Sequence, residues 1–432
     1  MTQPTLFKRS AIFLFCSGLC SASVSAAVIT GWNQGNVVSG GEVDGTFIQK
    51  IYDQPTTDGS GASSTGDLIY TPPEAVAPGL RVENDAPGAG SGNGVYNCII
   101  ASGAAASCNS EFQSGKRFKL NQTAPGPVDL TFDLDLEGNF ASVDNDGLYK
   151  VFQKYGNDTG SALAGFSVQL GFGIGDSFMG SVIGDGLGFL DLGADPQPNE
   201  FSSQFAAGLF GAGGTSKHPL QGYFSDTRAG FALERVSEDL FQSTGFTGSE
   251  LSGYEALFGD WMSYSMVPQG YFYDHDGDPL TDALLMAHLN AETGEWIMNR
   301  ALESDGTVST TTVYEGNDGI PVADVAAVEA ALKEAVTAFS LLSCTDAAYE
   351  DGPCLVGEGE IEDLAKFNVT YFLDQVLVAA TNDFLNLAYG GESSSFTLRI
   401  NGLAASAVPE PGVLALMVLG LFGLGAVRRR VR

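Results

Sequence analysis

Apolar and polar residues alternate most clearly in the middle and at the end of the chain. Phe132, Leu134 and Leu136 alternate with Asp133, Asp135 and Glu137. Phe166, Val168, Leu170, Phe172 and Ile174 alternate with Ser167, Gln169, Gly171, Gly173 and Gly175. Phe396, Leu398 and Ile400 alternate with Thr397 and Arg399. A period of two puts one set of side chains on a core and the other on a polar face, so these segments predict half-buried strands. The glycine face after Gln169 predicts close backbone approach. Leu148–Tyr155, Tyr264–Tyr273, Asp282–Leu289, Trp296–Leu302 and Thr307–Tyr314 are further strand candidates. Val28–Gly45 predicts a first strand and its turn. Phe231–Phe241 fits strand or short helix.

Two regions break the pattern. Gln54–Gly94 is rich in Pro, Gly and Ser and predicts loop, with one short strand at Leu68–Tyr70. Gly180–Gly214 is Gly-rich and also predicts loops. Ala323–Leu342 has Val325, Val328, Leu332, Val336 and Phe339 at three- and four-residue steps, which predicts an amphipathic helix starting near Pro321 and Asp324. Ile361–Asn368 predicts a second, short helix. The expected fold is therefore mostly β: an antiparallel β-sandwich-like body with a helical insertion near residues 322–368.

The two ends of the sequence read as signals. Lys8 and Arg9 precede an apolar stretch, Ala11–Leu19, and small residues follow at Val24–Ala27. This is the layout of a secretory signal peptide, cut after Ala26 or Ala27 by signal peptidase. A lipid anchor at Cys20 is the rival reading, and Leu19 weighs against it. At the other end Val408-Pro409-Glu410-Pro411 precedes an uncharged run, Gly412–Val427, and then Arg428, Arg429, Arg430 and Arg432. The run is short for a spanning helix, which usually takes about 20 residues. The arginines would hold its end on the cytoplasmic side. A buried terminal helix is the alternative. The chain thus divides into 1–27 (signal peptide), 28–405 (exported body) and 406–432 (sorting signal with its transmembrane segment).

Composition narrows the partners. Formal net charge is −32, and the two end segments hold six of the 20 basic residues but one of the 52 acidic ones. A body this acidic disfavours nucleic acid and anionic membrane, leaves the C-terminal run as the membrane contact, and suits an exported protein. Cys98, Cys108, Cys344 and Cys354 remain after the signal peptide, in two pairs ten residues apart. Three pairings exist in principle; the local one, Cys98–Cys108 with Cys344–Cys354, is expected for an oxidising compartment.

One internal constellation stands out. Asp274, Asp276 and Asp278 alternate around Gly277, with Asp282 following. Alternating carboxylates on a turn can converge on calcium, a hard cation that prefers oxygen ligands. The spacing departs from an EF-hand, with glycine fourth and Leu285 twelfth. An ordinary acidic turn fits the same residues. No cofactor is required, and calcium is the one candidate. Asp144–Gly147 is a weaker copy. The three histidines, His218, His275 and His288, form no metalloprotease motif, and no nucleophile elbow or phosphate loop is present.

The C-terminal arrangement resembles the PEP-CTERM sorting signal of Gram-negative bacteria. That resemblance implies cleavage near Pro409-Glu410-Pro411 by an exosortase and delivery to the cell surface or extracellular matrix, often beside exopolysaccharide. Gly270-Tyr271-Phe272, Asp276–Pro279 and Thr281–Ala287, with Gly31-Trp32-Asn33, look like the exported family called choice-of-anchor F, which implies a shared body and no catalytic residues. The leading expectation is a non-catalytic, exported cell-surface or matrix protein. A polysaccharide-binding module, with Trp261, Tyr271 and Tyr273 exposed on one face, and a secreted hydrolase with paired carboxylates are the alternatives.

Overall fold

The structure, a computed structural model, describes residues 28–70, 79–84, 97–103, 108, 116–135, 148–182, 185–189, 202–204, 233–243, 261–274, 284–290, 293–298, 321–322, 354–375 and 395–404. The first strands are β1 (Val28–Asn33), β2 (Val37–Val43), β3 (Thr46–Tyr52), β4 (Ser64–Tyr70), β5 (Leu80–Asn84) and β6 (Asn97–Ala101). Then come β7 (Phe118–Gln122), β8 (Gly126–Asp135), β9 (Leu148–Asn157) and β10 (Leu163–Phe172). Shorter strands follow: β11 (Met179–Gly180), β12 (Leu187–Phe189), β13 (Ser202–Gln204), β14 (Leu233–Ser237) and β15 (Leu240–Ser243). The last are β16 (Gln269–Asp274), β17 (Leu284–Asn290), β18 (Glu295–Met298), β19 (Pro321–Val322), β20 (Cys354–Glu360), β21 (Lys366–Gln375) and β22 (Ser395–Ala404).

These strands form three sheets. The first runs β1-β8-β22-β10-β15-β14, with β11 also on β10. The second runs β12-β21-β9-β7-β4-β3-β2, with β13 on β21 and the β5–β6 hairpin joined to β9. The third runs β19-β18-β17-β16-β20. Pairing is antiparallel except where β6 and β7 lie parallel to β9.

The first two sheets share one apolar core. Leu130, Phe132, Phe166, Leu398 and Ile400 from one sheet meet Leu68, Leu120, Tyr155, Phe367 and Tyr371 from the other. The Phe166 and Phe367 rings stack across the gap with centroids 4.5 Å apart, and Tyr155 meets Phe166 edge-on at 5.6 Å. Aromatic pairs in these geometries add roughly 0.5–1.5 kcal/mol beyond the area they bury. The arrangement is the face-to-face packing of a sandwich, driven by the period-two alternation. Tyr149 holds one edge: its hydroxyl accepts from the Ile29 amide at 3.0 Å and donates to Asn84 Oδ1 at 2.5 Å.

Several expectations need correction. Among the described residues there is no α-helix, and none is long and apolar enough to cross a membrane. Ile361–Asn368 is not a helix but a 3-10 turn, Glu362–Leu364, followed by β21. Ile361, Leu364 and Ala365 are buried and mimic helical spacing, but the burial of Phe367, Val369, Tyr371 and Leu373 continues with a period of two. The expected helix Ala323–Leu342, the strand Thr307–Tyr314 and the C-terminal transmembrane run lie outside the described residues. Phe231–Phe241 resolves into the β14–β15 hairpin. Gln54–Gly94 holds two strands rather than one short one, because Gly66, Thr65 and Asp67 hid the alternation of β4. The glycines after Gln169 do admit backbone: a Cβ on Gly171 would lie 2.2 Å from the Met179 carbonyl, and one on Gly175 (φ +54°) 2.1 Å from the Asp53 carbonyl.

Candidate functional site

The sorting signal is approached along β22. This strand lies between β8 and β10 and bonds to both over most of its length, from Ser395↔Asp133 to Ala404↔Leu163. Phe396, Leu398 and Ile400 are fully buried. Ala404 is the last described residue before the tail. Residues 405–432, including Val408, Pro409, Glu410 and Pro411, lie outside the described residues.

The end of β22 nearest the tail is also held by side chains. Gln122, fully buried, accepts the Gly402 amide at 2.9 Å. Its Nε2 donates to the Ala124 and Gly126 carbonyls, and the Tyr155 hydroxyl donates to its Oε1. Burial without any charge partner pushes the Tyr155 phenol well above its ordinary pKa, so it stays a donor. Beside it, Asn157 Nδ2 donates to the Ser161 and Trp261 carbonyls, and Trp261 Nε1 donates to the Ala365 carbonyl at 2.6 Å. β22 thus leaves the sandwich beside a hydrogen-bonded cluster of Gln122, Tyr155, Asn157 and Trp261.

The middle of β22 carries a buried ion pair. Arg399 Nε and Nη2 reach the two oxygens of Asp129 at 2.7 Å each. Arg399 also donates to the Gly175 carbonyl at 2.8 Å, while the Gly175 amide donates to Asp129 at 2.7 Å. The guanidinium lies 3.8 Å from the centroid of the Phe178 ring. Asp129 is 2% exposed, so the fork geometry of arginine is needed to satisfy both oxygens. Sequence alternation placed Arg399 on a polar face; its partner, on another strand, could not be read locally.

The other predicted positions fall as follows. Asp274 ends β16, and Asp276, Asp278 and Asp282 lie outside the described residues. Cys98 and Cys108 are disulfide-bonded, with Cα atoms 5.7 Å apart. Glu83 lies close to both sulfurs, but a disulfide offers no thiolate to a metal. Cys354 opens β20, and Cys344 lies outside the described residues. Trp261 and Tyr271 are each 2% exposed, which removes both from any aromatic sugar platform; the Tyr273 side chain is outside the description. His288 is a buried strand residue.

The outer face of the second sheet holds a feature that composition hid. The inward row Leu68–Leu120–Tyr155–Phe367 is flanked on the opposite face by two rows set by the same register. One is Lys50–Asp67–Asn121–Gly156–Lys366, and the other is Ile69–Lys119–Lys154–Asn368. Lys150 lies two residues before Phe152 on this face, and Lys116 reaches over it; both ammonium groups sit 5.1 Å from the Phe152 ring centroid. Lys116 is 1% exposed and donates to the Cys108 carbonyl at 3.0 Å. Burial, then Lys150 and Arg117, pull its pKa down to about 8.

Compared with known proteins, residues 407–430 match the PEP-CTERM protein-sorting motif. No curated protein matches the chain, and no solved structure does. The resemblance of the body to choice-of-anchor F therefore gains no support from these comparisons. The matched motif marks an exported protein targeted for sorting by an exosortase, anchored in the cell envelope before cleavage.

Proposed function

We propose that this chain is a non-catalytic cell-surface or extracellular-matrix protein whose β-sandwich is the cargo and whose C-terminal tail is the address. One observation carries this reading: the central strand of the first sheet ends at Ala404, three residues before the matched motif begins. A chain spans at most about 3.3–3.6 Å per residue. Ala404 must therefore sit within about 18 Å of Pro409 while the tail is in the membrane. Cleavage there leaves every strand of the sandwich intact. The polar groups at the base of β22 bond to one another, which supports a structural rather than a reactive role.

In this reading the signal peptide, residues 1–27, is removed by signal peptidase and the tail by the exosortase. No cofactor is required. Calcium at Asp274, Asp276, Asp278 and Asp282 is a separate expectation, checked by a calcium-dependent rise in melting temperature that Asp276→Asn abolishes. The sorting reading is tested by intact mass of the protein from cells with and without the exosortase. Loss of the first 26 or 27 residues in both, and of the tail only when the enzyme is present, is the expected result. Retention of the tail with the enzyme active overturns it.

A further inference from the structure

One corner of the second sheet's outer face gathers side-chain oxygens. Thr65 and Asp67 stand on β4 on either side of Gly66, whose own position faces Val128 of the core. Strand alternation therefore turns both outward. The Thr123 amide donates to the Thr65 carbonyl at 3.1 Å, and the Asp158 amide to the Gln122 carbonyl at 2.8 Å. These bonds carry the pairing of β4 with β7, and of β7 with β9, one residue further. Thr65, Thr123 and Asp158 thus form one outward row, next to the row Asp67–Asn121–Gly156.

Two of these oxygens are buried without a partner. Thr65 is 7% exposed, and its Oγ1 makes no hydrogen bond. Asp67 is 9% exposed; Lys50 reaches its Oδ2 at 3.8 Å, while Oδ1 bonds to nothing. A buried polar atom left unbonded costs about 1–3 kcal/mol. Thr65 could donate to a carboxylate, yet the two side chains do not bond each other, so a third body between them would satisfy both. Its sign follows from the acids. Burial raises the pKa of Asp67; Lys50 opposes this, and the charge of Asp158 adds to it. Burial raises Asp158 as well. Water would bond the oxygens but leave that strain in place, whereas a cation relieves both. Room is kept by Gly156, where a Cβ would lie 2.4 Å from Asn121 Oδ1 and 2.8 Å from the Tyr264 hydroxyl.

We infer that Asp67, Thr65 and Asp158, with Asn121 and Thr123 beside them, form a binding site for calcium. The donors are all oxygens, which suits a hard cation rather than zinc or copper. They come from three strands and mix carboxylate, hydroxyl and amide oxygens, an irregular set that calcium accepts and that the strict octahedron of magnesium does not. Lys50 offsets one of the two carboxylate charges, so binding is weak, in the range of about 10⁻⁴–10⁻³ M that serves extracellular modules. A bound ion would tie β4 to β7 and to the end of β9. This corner is separate from the acidic turn that follows Asp274, which ends a strand of the third sheet.

The test uses the full chain in detergent, carrying Asp276→Asn/Asp278→Asn so that the acidic turn does not contribute. Terbium emission excited through tyrosine reports occupancy, displacement by calcium or magnesium gives their affinities, and melting temperature is followed with each ion. Displacement by calcium at least about tenfold more readily than by magnesium, with a calcium-dependent rise in melting temperature, is expected. Asp67→Asn should weaken calcium binding by at least about tenfold, and Thr65→Val by a smaller factor. Lys50→Gln should tighten it. Asp44→Asn, in the turn between β2 and β3, should leave it unchanged. Melts without calcium check that each variant is folded. Absence of calcium binding, preference for magnesium, or unchanged affinity in folded Asp67→Asn would overturn the proposal. If Asp67→Asn does not fold, unchanged affinity in both Thr65→Val and Lys50→Gln overturns it instead. Intact mass reports the sorting step separately, so the two readings fail independently.

Discussion

The two sheets of the sandwich place their cations in opposite ways. In the first sheet Arg399 is sealed against Asp129, Gly175 and Phe178, with both carboxylate oxygens and the guanidinium bonded. In the second, Lys119 and Lys154 are register partners on the outer face, and Lys366 pairs with Glu362. The sealed pair is bidentate and desolvated, and its contribution is geometric. These lysines stay partly hydrated, where single ion pairs contribute about 0–1 kcal/mol. The same kind of contact is therefore sealed in one sheet and solvent-screened in the other.

The largest effect should come from opening the sealed pair. Arg399→Met leaves Asp129 buried without its cation, and a loss of about 3–5 kcal/mol in unfolding free energy is expected by denaturant titration. A loss below 1 kcal/mol would show that water reaches Asp129 and would erase the contrast. Next is the disulfide of the second sheet. Cys98 and Cys108, with Ile100 and Phe152, form a small apolar cluster on the outer side of the second sheet. Cys98→Ser/Cys108→Ser frees a ten-residue loop, and a loss of roughly 2–3 kcal/mol follows from chain entropy.

A third effect is a matter of pH. Folding lowers the pKa of Lys116 from 10.5 to about 8, so the folded state disfavours its charged form. Below pH 8 both states are protonated and the penalty is complete. Between about 8 and 10.5 the unfolded chain binds more protons, and this residue's contribution to stability rises with pH. Lys116→Met should flatten that rise in melts across the same window. If the slopes coincide, the amine is hydrated and the second sheet has no sealed cation at all. The smallest effect should come from Glu362→Gln. Its stability should change by less than about 1 kcal/mol, in thermal melts that converge at high salt.

How far the sequence revealed this molecule depended on locality. β8, β10 and β22 were visible because their apolar positions alternate without interruption and every second residue is buried. Of β4 only its last part, Leu68–Tyr70, was, since Thr65 and Asp67 are polar yet nearly buried and Gly66 faces Val128 of the opposing sheet. Ile361–Asn368 misled because one 3-10 turn buries residues at helical intervals before β21 begins. The sorting tail was legible because its parts are contiguous. The lysine pair was not: Lys119 and Lys154 are neighbours through a parallel pairing of β7 with β9, which no local pattern announces.

The place of β22 also sets a clock. β8 and β10 bond to β1 and β15 on their other sides but are joined to each other through this strand, which comes last of the described strands in the chain. Until residue 404 has been synthesised and exported, the first sheet has a gap at its centre, and the core between the sheets cannot close. Pairings this distant in sequence form late and slowly. A chain without β22 therefore has the two halves of its first sheet unjoined. The strand that completes the first sheet is also the one directly followed by the sorting motif.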